Sequence, residues 1–258
     1  MRTLCDNPFS PFARKVRLVL AHKGLQAESV DALALTEHES LRAANPRAEV
    51  PVLVDDGLVV VNSADIVTYL EERYPEPPVL PRTPAERVAP RAWERLADTV
   101  LDAVVHDISI WTWPTHRRPD TPPAGLIEAG VRDLGLILAR LDAALRGRAF
   151  LCGALSVADF ALFPHLSSLK PLGIGIDPGT HPHLAAWNQR LRALPIVRAD
   201  LDTVKRAAME KFGSGPSPYE GEKIVWRGDR LEWLFHHGFA EWWMEEWRAG
   251  RAVVPSSV

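Results

Sequence analysis

The sequence predicts an α/β N-terminal domain followed by an all-α C-terminal helical domain. Three observations carry this. Short apolar and β-branched runs before residue 76 alternate with amphipathic segments, the mark of mixed strands and helices. A proline-rich stretch at 74–84, YPEPPVLPRTP, stops any helix that enters it. Beyond it, each long segment repeats its apolar residues at helical spacing.

Taken in order, Met1–Cys5 is a short apolar start that reads as a buried strand. Residues 6–11, DNPFSP, form a loop by composition. From Phe12 the apolar Val16, Leu18, Val19 and Leu20 interleave with Arg14, Lys15, Arg17 and His22, an amphipathic helix ending at Gly24. Pro11 suits its first turn, where a missing N–H costs nothing. Ser10 therefore stands just before a helix N-terminus, its hydroxyl beside free N–H groups. Leu25–Val30 reads as a second strand, and Glu37–Ala44 as a weak helix closed by Asn45-Pro46.

The stretch from Glu49 to Tyr69, EVPVLVDDGLVVVNSADIVTY, organises this half of the chain. Pro51 cannot donate to a central ladder and belongs at the start or edge of the strand Val50–Val54. Asp55-Asp56-Gly57 turns the chain, and Leu58–Val61 returns as a second β-branched run. From Ile66 the period becomes helical, with Asn62 and Ser63 at the join. That helix start binds a carboxylate or phosphate readily, because its first N–H groups lack partners and the dipole adds positive charge. Asn62 and Ser63 also read simply as an N-cap. Were the Val50-Pro51 bond cis, Val50 N–H and C=O would face an extended peptide. The order β-α-β-α-β-β-α is an α/β sandwich of the thioredoxin type.

Helices are expected over 85–113, 123–145, 157–169, 182–193 and 197–211, with residues 114–122 breaking the first two. Ser156 and Asp159 fit the N-cap and N3 positions of a capping box, with Leu155 and Phe160 at the places of a hydrophobic staple. This reads as architecture. The boundaries expected are 1–76 for the first domain, 77–84 for the linker, 85–211 for the helical domain and 212–258 for an extension. Asp229 with Glu232 resembles a capped start for one aromatic amphipathic helix in that extension, striped by Leu231, Leu234, Phe235, Phe239, Trp242, Trp243 and Trp247. So much aromatic surface needs a cover: the helical domain or cleft mouth, a second subunit, or a membrane surface, the last weakened by Glu241, Glu245 and Glu246.

Composition narrows the function. With 258 residues the chain can bury a large core in two domains. A formal net charge of -3 gives no electrostatic case for nucleic acid. No window has the length of an apolar membrane span, and the N-terminus lacks a signal-peptide core, so a cytoplasmic location is expected. Cys5 and Cys152 are too few for a disulfide scaffold and too distant for a metal pair, and no metal is expected. Cys5, at the end of the first strand, reads as a buried inert thiol.

Four motifs in order then carry a resemblance. Ser10-Pro11-Phe12-Ala13-Arg14-Lys15-Val16-Arg17 resembles the first-helix motif of the cytosolic glutathione transferases. Asn45-Pro46, Val50-Pro51-Val52-Leu53 and Ser63-Ala64-Asp65-Ile66 with Tyr69-Leu70 resemble that family's glutathione-site signature. Phe150-Leu151 with Gly153 and Ser156–Phe160 resembles its second-domain cap, and Trp187 with Leu194-Pro195 its closing helices. The resemblance implies glutathione as co-substrate, a small hydrophobic electrophile as second substrate, and a homodimer. It implies that Ser10 donates a hydrogen bond to the glutathione sulfur, in the manner of serine-type members, favouring thiolate over thiol. Read without the family, Ser10 is equally an N-cap. Val50 resembles the residue pairing with the cysteinyl backbone, Pro51 the cis-proline, and Ser63 the holder of the γ-glutamyl carboxylate.

Two residues depart from the pattern. Glu49 stands where many serine-type members carry a cation for the glycyl carboxylate, and Asn62 where a Glu usually precedes the Ser. Arg14, Lys15, His38 and Arg47 are candidates for the missing cation; a solvated Glu49 that points away is the other reading. The electrophile is expected between the domains, over the first helix after the linker, where Phe12, His106, Ile110, Trp111 and Trp113 are candidate lining; a Trp in a helix reads equally as core. The function expected is conjugation to, or dehalogenation of, an apolar electrophile. A glutathione-dependent cis–trans isomerase and a non-catalytic binding module are the alternatives.

Overall fold

The computed structural model describes residues 1–32, 38–113, 120–213, 224–225 and 227–254, with backbone alone at 38, 224, 225 and 253. Its first part is a four-stranded mixed sheet in the order β2-β1-β3-β4, with helices against it, in the thioredoxin-like manner. Strand β1 (Arg2–Asp6) runs parallel to β2 (Glu28–Asp31) and antiparallel to β3 (Val52–Asp55). β3 turns into β4 (Leu58–Val61) with Asp55 opposite Leu58. Asp56 and Gly57 both take positive φ, 48° and 88°, the backbone that a two-residue hairpin with the right twist requires.

Helix α1 (Pro11–His22) and α3 (Ser63–Arg73) cover one face, burying Val16, Val19, Ile66, Val67 and Leu70 against Leu4 and Leu53. α2 (His38–Ala44) lies over a smaller cluster of Ala32, Leu41 and Val52. Cys5 packs against this cluster and is half-buried, less enclosed than expected. The proline-rich linker is pinned: the Glu71 carboxylate accepts Val79 and Leu80 N–H at 3.1 and 3.2 Å, and Lys23 pairs with Glu71 at 2.7 Å.

The second part is helical. α4 (Pro84–Leu96) runs through a π turn (Ala97–Leu101) into α5 (Asp102–Thr112). In that turn Asp102 N–H reaches back to the Ala97 carbonyl, five residues away, instead of to Asp98. α6 (Leu126–Ala144), α7 (Val157–Ser167), α8 (Pro182–Ala193) and α9 (Pro195–Phe212) complete the bundle. α7 is the central rod, apolar nearly all round and buried from Val157 to Leu166. Its start is held by Asp159, which accepts Ser156 N–H at 3.0 Å, Leu151 N–H at 3.1 Å and Trp187 Nε1–H at 2.8 Å.

Buried ion pairs join the two parts. Lys15, fully buried, meets Glu94 at 3.1 Å and Asp98 at 2.5 Å. Arg14 and Arg17 of α1 converge on Asp200 of α9 at 2.8 and 2.7 Å.

The C-terminal segment forms two helices, α10 (Gly228–His236) and α11 (Ala240–Arg248), where one was expected. Gly238 at φ 83° breaks the stripe, a left-handed conformation that ends a helix. Nor is Asp229 the cap: the helix starts from Arg227, and Asp229 lies in its first turn. α10 packs on α5, and Leu234 and Trp243 are buried there. Trp233 Nε1–H donates to Asp133 of α6 at 2.9 Å, and the His237 ring approaches the same oxygen at 2.8 Å. Trp226 and residues 214–218 lie outside the described residues.

Candidate active site

A cleft of about 760 Å³ opens where α1, the loop before β3, the start of α3 and the α4–π segment meet. The sequence-predicted Val50, Pro51, Asn62 and Ser63 line one side of it, and Phe12 lines it from the first turn of α1. The Val50-Pro51 bond is cis. Asn62 caps α3 at φ 70°, its side chain accepting Ala64 N–H at 3.0 Å. Ser63 is the first helical residue and is buried. The cleft thus has the positive end of a helix as part of its wall.

Ser10 caps α1, its Oγ accepting Ala13 N–H at 3.3 Å. Its own N–H donates to the Asn7 carbonyl at 3.0 Å, which fixes the loop. An accepting Oγ keeps its proton free to donate elsewhere, the capacity a thiolate needs from it. Ser10 is half-buried and is not itself among the residues lining the cleft; it stands two residues before Phe12, which is.

The candidate cations separate clearly. Arg14 is committed to Asp200, and Lys15 to Glu94 and Asp98. Arg47 lines the cleft and grips Glu49 through Nε at 2.8 Å and Nη2 at 3.1 Å. Glu49 therefore faces the cleft as half of an ion pair. The side chain of His38 lies outside the described residues. Sequence reasoning missed Arg91 and Arg95 of α4, which line the cleft; their i, i+4 spacing on the helix that follows the linker directly was the available signal.

It also missed Arg227, which reaches the cleft from the C-terminal segment. Its guanidinium lies 4.6 Å from the Phe12 ring centre. Nη2 donates to the Asp98 carbonyl and to Asp229, each at 3.0 Å. The Asp98 carbonyl is the acceptor that Asp102 N–H passes over in the π turn. No local pattern connects residue 227 to residue 98.

His106, Ile110 and Trp111 of α5 are not among the residues lining this cleft. Trp111 is buried and packs on Trp242 of α11 with ring centres 5.6 Å apart, while Ile110 packs against the same core. The C-terminal helices occupy the face on which these residues stand. His106 meets Asp107 at 3.0 Å. Burial, then Arg230, push its pKa well below the usual histidine range, so it is neutral. Burial also pushes the Asp107 carboxyl well above the carboxylate range. Burial acts the same way on Asp102, but Arg230, His165 and Arg227 outweigh it and hold that carboxyl below its ordinary value. Arg230 Nε donates to Asp102 at 3.0 Å and fastens α10 there. Among the described residues no group of three or more His, Cys, Asp or Glu side chains could hold a metal ion, and no helix is long and apolar enough to cross a membrane.

Comparison with known proteins places these features. Residues 4–78 match the family model for the glutathione S-transferase N-terminal domain, and residues 105–195 match that for its C-terminal domain. The chain is 31% identical over 200 residues to glutathione transferase GST 23 of Zea mays, covering 74% of this chain and 85% of that protein. It is 30% identical over 206 residues to FtsZ-localized protein A of Caulobacter vibrioides, covering 76% and 89%. Among solved structures it resembles a glutathione S-transferase from Methylobacillus flagellatus KT with glutathione bound, at 28% identity and TM-score 0.68, covering 78% and 98%.

Proposed function

The chain belongs to the glutathione S-transferase family, and on that premise we propose that it binds glutathione in the cleft and uses Ser10 to hold the sulfur as thiolate for attack on an apolar electrophile. One observation carries the reading: Val50, Pro51, Asn62 and Ser63 line the same cleft as Phe12, which follows Ser10 by two residues in the first turn of α1. Ser63 and the α3 N-terminus offer hydrogen bonds and positive potential to the γ-glutamyl carboxylate. The edge of Val50 suits the cysteinyl backbone. With its Oγ accepting Ala13 N–H, Ser10 is oriented to donate its proton to a sulfur anion at the α1 N-terminus. Both interactions favour thiolate over thiol. The thiolate is the nucleophile, so the effect is on the rate of attack.

Lowering a thiol pKa by two units corresponds to about 2.7 kcal/mol. In titration calorimetry both wild type and Ser10→Ala should bind glutathione, while the variant, with its thiol back at about 8.5 instead of about 6.5, conjugates an electrophile about 25-fold more slowly at pH 7. A wild type without measurable glutathione binding would point to the second reading, a binding module that keeps the fold for recognition. That reading draws on the kinship with a relative named for localisation with FtsZ, and on Glu49 standing in the cleft wall.

A further inference from the structure

The matched family models end at residue 195, yet Arg227 forms part of the cleft wall. It is a held group. Nη2 is engaged by the Asp98 carbonyl and Asp229, Nε lies 3.4 Å from Asp229, and Asp102 is 4.0 Å away. Among the described residues Nη1 has no hydrogen-bond partner, and 23% of the side chain remains exposed. Burial works against the charge, but Asp102, Asp229 and Glu49 outweigh it and keep the guanidinium protonated. A fixed cation with two spare N–H donors thus sits against Phe12, two residues from Ser10. Such a donor accelerates a reaction only where negative charge grows during the step.

Resting on the glutathione reading above, we propose that Arg227 Nη1 is an oxyanion donor of this cleft and that the electrophile is a carbonyl-conjugated alkene. The thiolate lone pair forms the S–C bond at the β-carbon. The C=C π pair moves toward the carbonyl, whose oxygen takes the charge as an enolate. Arg227 donates to that oxygen, and the enolate carbon then takes a proton from water. Displacement at an alkyl halide places the departing charge on the halide and has no carbonyl oxygen to receive this bond.

The test compares a conjugated aryl enone with a benzyl halide of similar size, using the full chain. Arg227→Met keeps the length of the side chain without charge or donors. It should lower kcat on the enone by about 10- to 100-fold, less than a fully buried donor because the group is partly exposed, and change the halide rate by under about threefold. Arg227→Lys should recover part of the enone rate. Equal losses on both substrates in Arg227→Met, no loss on either, or a wild type that binds glutathione but does not turn over the enone each overturn the proposal. Calorimetry separates the levels: wild type failing to bind glutathione overturns the underlying reading together with this one, whereas intact binding with an unchanged ratio overturns this one alone.

Discussion

Replacing Asp200 by Asn should cost this protein about 4 kcal/mol, within the range for stranding one buried charge. The Asp200 carboxylate is 5% exposed and accepts four N–H groups: Arg14 Nε and Nη2 at 3.0 and 2.8 Å, Arg17 Nε and Nη2 at 3.2 and 2.7 Å. Without that charge, Arg14 is left with neutral acceptors alone, the Pro164 carbonyl, the Ser167 hydroxyl and the amide oxygen of the new Asn. Its side chain is 3% exposed, so water cannot replace the lost carboxylate. Arg17 suffers less, because it retains Asp6 at 2.6 Å and is 15% exposed. Removing one partner of a buried pair costs about 3–5 kcal/mol, and the share here is set by Arg14. With a urea slope of about 3 kcal/mol/M, the unfolding midpoint should fall by about 1.3 M at unchanged slope. The double variant Arg14→Met/Asp200→Asn removes the stranded charge and should be more stable than Asp200→Asn alone. A midpoint shift below about 0.3 M would show that this pair does not hold the two parts together.

Two further outcomes follow from packing and titration. A Cβ at Gly130 would lie 2.2 Å from Ile108 Cγ2, where α5 meets α6; Gly130→Ala should lower stability by about 1–3 kcal/mol, and a thermal midpoint equal to wild type would contradict the close approach. Burial first, then Lys15, Arg14 and Arg227, hold His165 near neutrality down to about 4, against the opposing pull of Asp102, while the unfolded ring takes its proton near the ordinary pKa of about 6.5. Between these values the unfolded state binds more protons, so stability should fall by about 3 kcal/mol as pH drops from 6.5 to 4 and then level off. The difference in stability between wild type and His165→Asn isolates this contribution; parallel pH profiles would remove it.

Local chemistry was legible in the sequence wherever neighbours in the chain were also neighbours in space. Ser10 before Pro11, the Asp56-Gly57 turn, Asn62 and Ser63 at the start of α3, and Ser156 with Asp159 all act within four residues. The mixed sheet followed from period and turn residues for the same reason. Longer-range facts left no pattern to read. Arg227 meets Asp98 across 129 positions, and the C-terminal helices cover α5 because of where they dock, not because of how they are spelled. Helical spacing continued across Gly238, so a single helix was expected from a stripe that the backbone divides. His106, Ile110 and Trp111 have the composition of a cleft lining, and composition alone could not tell which face would be taken.

The irregular turn at 97–101 gives the C-terminal segment a particular dependence on its host. In an unbroken helix the carbonyl that seats Arg227 would be spent on Asp102 N–H. Transplanting residues 227–254 onto a relative with a straight helix would therefore deliver the arginine without its anchor, and excising one residue from the turn here should unseat the native one. Insertion and appendage form a matched pair, to be moved or inherited together.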